Sequence, residues 1–227
     1  MVTKKRPEPA VQTMDPLQKP TPIVMLTDPK SAAAEAIRAL RTRIQSQHIQ
    51  KGRRALAVCG PTPEVGSTFI AVNLAVALAQ IGIKTLLVEA DLRDPTVKSY
   101  FPDVDVGGGL RACLSSPDAD VADFSVQQIV PDLDVLFAGG ADDLAQEYLA
   151  SDRFPDVINS CLRDYVMTII DTPPANGSAD SRRISTVVGF SLIVARKNKT
   201  LVSDVHTLAD ELTKERTTLI GTVLNSY

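Results

Sequence analysis

Short, continuous apolar runs recur along the chain with helical segments between them, and this alternation limits the fold more than any other feature. The runs are ALAVCG (55–60), KTLLVEAD (84–91), LDVLFAG (133–139), VMTIID (166–171), FSLIVAR (190–196) and TLIGTVLN (218–225). Runs this short that stay apolar at every position suit strands buried on both faces. Between them, FIAVNLAVALAQIG (69–82) reads as an amphipathic helix closed by Gly82, and residues 143–163 and 201–214 also read as helical. The fold class that follows is α/β: a mostly parallel sheet with helices on both faces. Ligands of such sheets bind beyond the carboxyl ends of the strands. Two strand ends carry acids there, Glu89 with Asp91 on one and Asp171 on the other.

The 227 residues suit one domain with a sizeable core. A net charge of −3 and an aromatic content of 4% without Trp argue against nucleic acid or an anionic membrane surface as partner. Cys59, Cys113 and Cys161 lie far apart without metal-ligand spacing, as expected of reduced, buried thiols. His48 and His206 have no nucleophile or ligand nearby and read as structural. No apolar stretch approaches the roughly 18 residues of a membrane span, so the expected location is the cytoplasm. Residues 1–27, rich in Pro, Lys, Gln and Thr, read as a flexible tail, and 28–227 as a single domain. Within it, 28–50 is expected to be helical, with Asp28 as cap and Pro29 in the first position.

GPTPEVGST (60–68) joins the first run to the first long helix. A phosphate loop follows a strand, needs glycine where backbone amides approach the anion, and opens a helix whose positive end faces it. Gly66 stands at the close-approach position and Thr68 at the magnesium hydroxyl. The phosphate-binding set is then Pro63, Glu64, Val65, Gly66, Ser67 and Thr68. The pattern G-x-x-x-x-G-K-S/T breaks twice, with Ser67 in place of lysine and Pro61 in place of the leading glycine. Beyond the loop, Thr68, Asp91 and Asp171 are hard oxygen ligands of the kind that magnesium on a phosphate requires.

Together, GPTPEVGST, EADLRDP (89–95) and IIDTPP (169–174) resemble GPTPGVGKS, DADLRRP and IIDTPP of the cytosolic domain of bacterial tyrosine kinases (BY-kinases), which control capsule and exopolysaccharide synthesis. These are relatives of the MinD and ParA ATPases with a deviant P-loop NTPase-like fold. The resemblance runs from about Asp28 to Asn225, with DDLAQEYLASDRF (142–154) and Asp180 matching later family features. It implies ATP or ADP with Mg²⁺ as cofactors, Asp91 and Glu89 as catalytic acids, and a membrane-spanning polysaccharide co-polymerase as partner. That partner would recruit the chain to the inner face of the plasma membrane. Glu35, Arg38 and Arg41 form the family's E-x-x-R-x-x-R, which implies docking onto a second copy in a homo-oligomeric ring; the spacing of three sets them along one side of a helix.

The departures from that pattern fall on the charges. No Lys or Arg occurs between Arg54 and Lys84, Glu64 replaces a family glycine, Glu89 replaces an aspartate, and Asp94 replaces a basic residue. A charge-assisted hydrogen bond is worth roughly 1.5–3 kcal/mol, and phosphoryl transfer depends on such electrostatic stabilisation. The family's C-terminal tyrosine cluster is matched only by Tyr227, two residues past Asn225. The sequence therefore predicts a pseudo-kinase, an assembly or regulatory subunit with weakened nucleotide binding. Three other readings stand beside it. One is a working ATP-dependent tyrosine kinase with a borrowed cation, Arg38 and Arg41 being candidates. Another is a ParA- or MinD-type positioning ATPase, and the last a protein-binding α/β domain.

Overall fold

The computed structural model describes residues 21–116 and 120–226. Its elements in chain order are α1 (Val24–Thr27), α2 (Ala32–Gln47), β1 (Ala55–Cys59), α3 (Ser67–Ala79), β2 (Thr85–Glu89), α4 (Gly109–Ser115), β3 (Val126–Val130) and β4 (Leu133–Leu136). There follow α5 (Ala145–Ala150), α6 (Arg153–Asp164), β5 (Met167–Asp171), α7 (Asp180–Val188), β6 (Phe190–Arg196), α8 (Val202–Lys214) and β7 (Thr218–Asn225). The strands form one seven-stranded sheet in the order β3-β4-β2-β5-β1-β6-β7. Every neighbouring pair is parallel except β3 with β4, in agreement with the expected fold class.

Alternation along the strands builds two cores. Leu56, Val58, Leu87, Ile169 and Leu192 face one side and pack with α1, α2 and α3. Ala57, Cys59, Leu86, Val88, Ile170 and Ile193 face the other and pack with α4 to α8. Successive Cβ atoms point to opposite faces, so a strand covered on both faces must be apolar at every position. Burying each Leu or Ile contributes about 1.5–3 kcal/mol, and both layers depend on the same central strands. The three cysteines are free and buried, and His48 is buried with Nε2 2.9 Å from the carbonyl of Ala55.

Several expectations need correction. Residues 21–27, assigned to the tail, are built into the fold: Ile23, Val24 and Met25 are buried, and the Thr21 amide donates to the Ser99 carbonyl at 3.3 Å. Residues 1–20 and Tyr227 lie outside the described residues. The long helix upstream of β1 begins at Ala32, because the Ser31 hydroxyl, and not Asp28, accepts the capping amide of Ala34 at 3.2 Å. Helix α3 is not amphipathic; Ile70 to Ala79 are all buried because α1 and α2 cover its outer side. Asn73, the polar residue in that stretch, is satisfied, accepting from the Met25 amide at 3.2 Å and donating to the Phe69 carbonyl at 2.9 Å. The helix expected over 143–163 divides into α5 and α6, since Pro155 lacks an amide and fits only in the first turn of a new helix.

Candidate functional site

The site lies beyond the carboxyl ends of β1, β2 and β5, where β5 separates the two strands that flank α3 in sequence. Residues 60–66 leave β1 as a loop whose turns are left-handed at Glu64 (φ +59°) and Gly66 (φ +89°). Gly66 is the cap of α3 and supplies no capping side chain, which leaves the helix's first amides to the cleft. A Cβ at Gly66 would lie 2.2 Å from Nδ2 of Asn225. That amide group donates to the Val65 carbonyl at 3.0 Å, so the last residue of β7 clamps the loop. On its other side the loop accepts from the amides of Ala175 and Asn176, each at 2.9 Å, through the carbonyls of Gly60 and Pro61. The resulting cleft has a volume of about 450 Å³ and is lined by Pro63, Glu64, Gly66, Ser67 and Thr68 with Asp91, Arg93, Thr96 and Tyr100.

Three carboxylates converge on this end of the sheet, and each is held above its ordinary range chiefly by burial: Glu89, Asp91 and Asp171. Mutual repulsion raises Asp171 further, whereas a hydrogen bond from Thr68 draws it down. Asp171 is 1% exposed, and its Oδ1 is buried without a partner. An orphaned buried carboxylate oxygen beside a threonine hydroxyl suits a hard cation, and Thr68 and Asp171 fit magnesium in this respect. Asp91 is half-buried, and its Oδ1 accepts from the amides of Arg93 and Asp94 at 3.1 and 3.0 Å. Among the described residues no group of three or more His, Cys, Asp or Glu could hold a metal by itself.

Glu89, expected to be catalytic, is hydrogen-bonded to the backbone through both oxygens. Its Oε1 accepts from the Val97 amide at 2.6 Å and its Oε2 from the Ala138 amide at 3.0 Å. Both oxygens therefore brace the chain segments that follow β2 and β4. The extra methylene relative to aspartate lets the carboxylate reach these amides.

The cations around the loop were only partly legible. Arg93 Nε donates to Asp180 Oδ2 at 2.7 Å. Arg196 Nη1 donates to the Glu64 carbonyl at 2.9 Å, and Lys199 forms an ion pair with the Glu64 carboxylate. Sequence reasoning missed Arg196, Lys199 and Asn225. The available signal was the basic stretch RKNK (196–199) at the carboxyl end of an apolar strand. In α2, Arg38 pairs with Glu35 at 3.0 Å and donates to the Pro29 carbonyl at 2.6 Å, while Arg41 donates to the Ala77 carbonyl at 3.3 Å. The three stand together on α2, Glu35 exposed and both arginines half-buried, apart from the cleft.

A mostly parallel sheet with a glycine-turned loop at the start of a buried helix, and an aspartate ending a neighbouring strand, defines a P-loop NTPase-like fold. MinD of Pyrococcus horikoshii, solved with Mg-ADP, shares that fold, with a TM-score of 0.65 over 77% of this chain and 70% of that one, at 22% identity. No family model matches the chain. Tyrosine-protein kinase ptk of Acinetobacter johnsonii is 30% identical over 92% of the chain, which spans 28% of that protein's length. The chimerical protein CapA2B2 is 30% identical, with a TM-score of 0.81 over 89% of this chain and 88% of that one. The kinase domain of Escherichia coli tyrosine kinase ETK gives a TM-score of 0.84 at 28% identity, over 95% and 83%. The chain belongs to the bacterial tyrosine kinase family. Among the described residues no helix is long and apolar enough to cross a membrane.

Proposed function

We propose that the chain is the cytosolic BY-kinase-like component of a capsule or exopolysaccharide polymerisation and export system, acting as a pseudo-kinase. One observation carries this reading. Ser67 holds the position from which a lysine would reach the phosphates, Arg93 is engaged with Asp180, and Arg196 is tied to the Glu64 carbonyl. Backbone amides and the α3 terminus are enough to bind a phosphate but do not supply the side-chain charge that stabilises its transfer. The engagement of both Glu89 oxygens with backbone amides supports the same reading.

ATP or ADP with Mg²⁺ is the ligand class this cleft retains, more weakly than a complete loop would. Thr68, Asp171 and Asp91 would hold the metal, which when bound neutralises phosphate charge. Among the described residues the tyrosines are Tyr100, Tyr148 and Tyr165, each at least half-buried, so they are poor acceptors. Glu35, Arg38 and Arg41 support assembly of copies into a ring on a membrane-spanning co-polymerase, at the inner face of the plasma membrane. Retention of Thr68 beside Asp171 favours a second reading, a working tyrosine kinase that borrows a cation; added cytosolic tail of the membrane partner would then raise turnover.

The test is incubation with magnesium and labelled ATP beside the double variant Glu64→Gly/Ser67→Lys. Release of labelled phosphate is expected only with the double variant. Clear turnover by the natural chain overturns the pseudo-kinase reading.

A further inference from the structure

The phosphate loop carries one carboxylate, and it sits where the backbone is shaped for glycine: Glu64 has φ +59°. Two cations from one turn grip this residue. Arg196 Nη1 donates to its carbonyl at 2.9 Å, and Lys199 Nζ pairs with its carboxylate. The turn between β6 and α8 is itself fixed, since the Arg196 amide donates to Thr200 Oγ1 at 2.8 Å and the Lys197 amide to the Asn225 carbonyl at 2.7 Å. The contact holds the Glu64 carboxyl below its usual range, first through the Lys199 hydrogen bond.

We propose that Lys199 is the phosphate-binding cation of this site, delivered from the β6–α8 turn in place of the lysine missing at Ser67, and that Glu64 is a built-in anionic stand-in which a nucleotide phosphate displaces. The inference rests on the reading that the cleft takes a nucleotide. Glu64 lines the cleft and its carboxylate pairs with the Lys199 ammonium, so displacing the carboxylate frees that charge beside the loop. Lysine is suited to the exchange because its flexible stem lets a compact charge swing between partners. Arg196, tied to the Glu64 carbonyl, stays as the hinge of the arrangement. The pair is solvent-exposed, with Lys199 at 40% and Glu64 at 76%. Ion pairs of this kind are weakly held, so a phosphate dianion competes well against a single carboxylate.

The experiment is calorimetric titration of the full chain with Mg-ADP. Glu64→Gln removes the charge and keeps the backbone; Glu64→Gly removes both charge and strain. Each is expected to bind at least about tenfold more tightly than the natural chain, with the gain shrinking as salt rises. Adding Lys199→Met to Glu64→Gln is expected to abolish that gain. Melting curves confirm that each variant is folded. The proposal is overturned if Glu64→Gln binds no better than the natural chain, if only Glu64→Gly gains, or if Lys199→Met leaves the gain intact. Failure of both Glu64 variants to bind Mg-ADP overturns it as well. Phosphoryl transfer is scored separately: turnover by the natural chain rejects the pseudo-kinase reading without altering the order of affinities.

Discussion

Glu89 and Asp171 are direct neighbours in the parallel register of β2 and β5, yet their carboxylates have different fates. Glu89 gives both oxygens to backbone amides, whereas Asp171 keeps Oδ1 buried and unpartnered. The side-chain length decides this. The longer acid reaches across to the chain segments after β2 and β4, and the shorter one stays at the strand end beside Thr68.

Removing Glu89 is therefore expected to act on stability before it acts on nucleotide binding. Glu89→Ala orphans two buried amides and should cost roughly 2–5 kcal/mol. Glu89→Gln, which retains one acceptor, should cost roughly 1–2 kcal/mol. Urea unfolding measures both, and an alanine variant with the natural midpoint would reject the bracing role.

The burial of Asp171 makes a prediction about pH. Its carboxyl is raised in the folded state, so the native chain keeps a proton that the unfolded chain has released. Stability from this source is complete below the ordinary carboxylate range and declines as pH rises through the elevated folded value. The midpoint difference between Asp171→Asn and the natural chain should grow from acid toward neutral pH, in favour of the variant. Parallel curves would show that Asp171 is not strained by burial.

Arg93 and Asp180 should respond unequally. The Asp180 side chain is 3% exposed and Arg93 is 43% exposed. Arg93→Ala leaves a buried carboxylate unpaired and is expected to cost roughly 1–3 kcal/mol. Asp180→Asn leaves the arginine facing water and should cost less than about 1 kcal/mol. Equal losses would mean that the pair is not limited by the burial of Asp180.

At Gly66, alanine meets two obstacles, the left-handed backbone and the Asn225 amide. Gly66→Ala should cost roughly 2–3 kcal/mol, from the backbone penalty together with the loss of the Asn225 bond to Val65, and should abolish Mg-ADP binding. Asn225→Ala alone should cost about 1 kcal/mol. If Gly66→Ala melts and binds as the natural chain does, the clamp is not what shapes the loop.

Much of the fold was legible because burial on both faces leaves its mark on every residue of a strand. The runs at 55–60, 84–91, 166–171 and 190–196 each appear as a buried strand of the sheet, and 218–225 as the partly exposed edge strand β7. β3 was missed because VQQIV is a partly exposed partner of β4 on one edge, without a continuous apolar pattern. The break between α5 and α6 was readable from Pro155 and was overlooked. The burial of α3 on every side was not readable, since the helices that cover it lie upstream and local period cannot report them.

The amino-acid order alone determined the strand-and-helix alternation, the anion loop at 60–68 and its missing cation. Those depend on local chemistry: which residues can be buried, which can turn, and which carry charge. Only the tertiary structure decided that Glu89 bonds the amides of Val97 and Ala138, and that Asp171 keeps an oxygen free. It also decided that Lys199 and Asn225 close on the loop from 135 and 160 positions away. Hydrogen bonds and ion pairs act over a few ångströms of space whatever the chain separation, so such partners exist only once the sheet has brought its strand ends together.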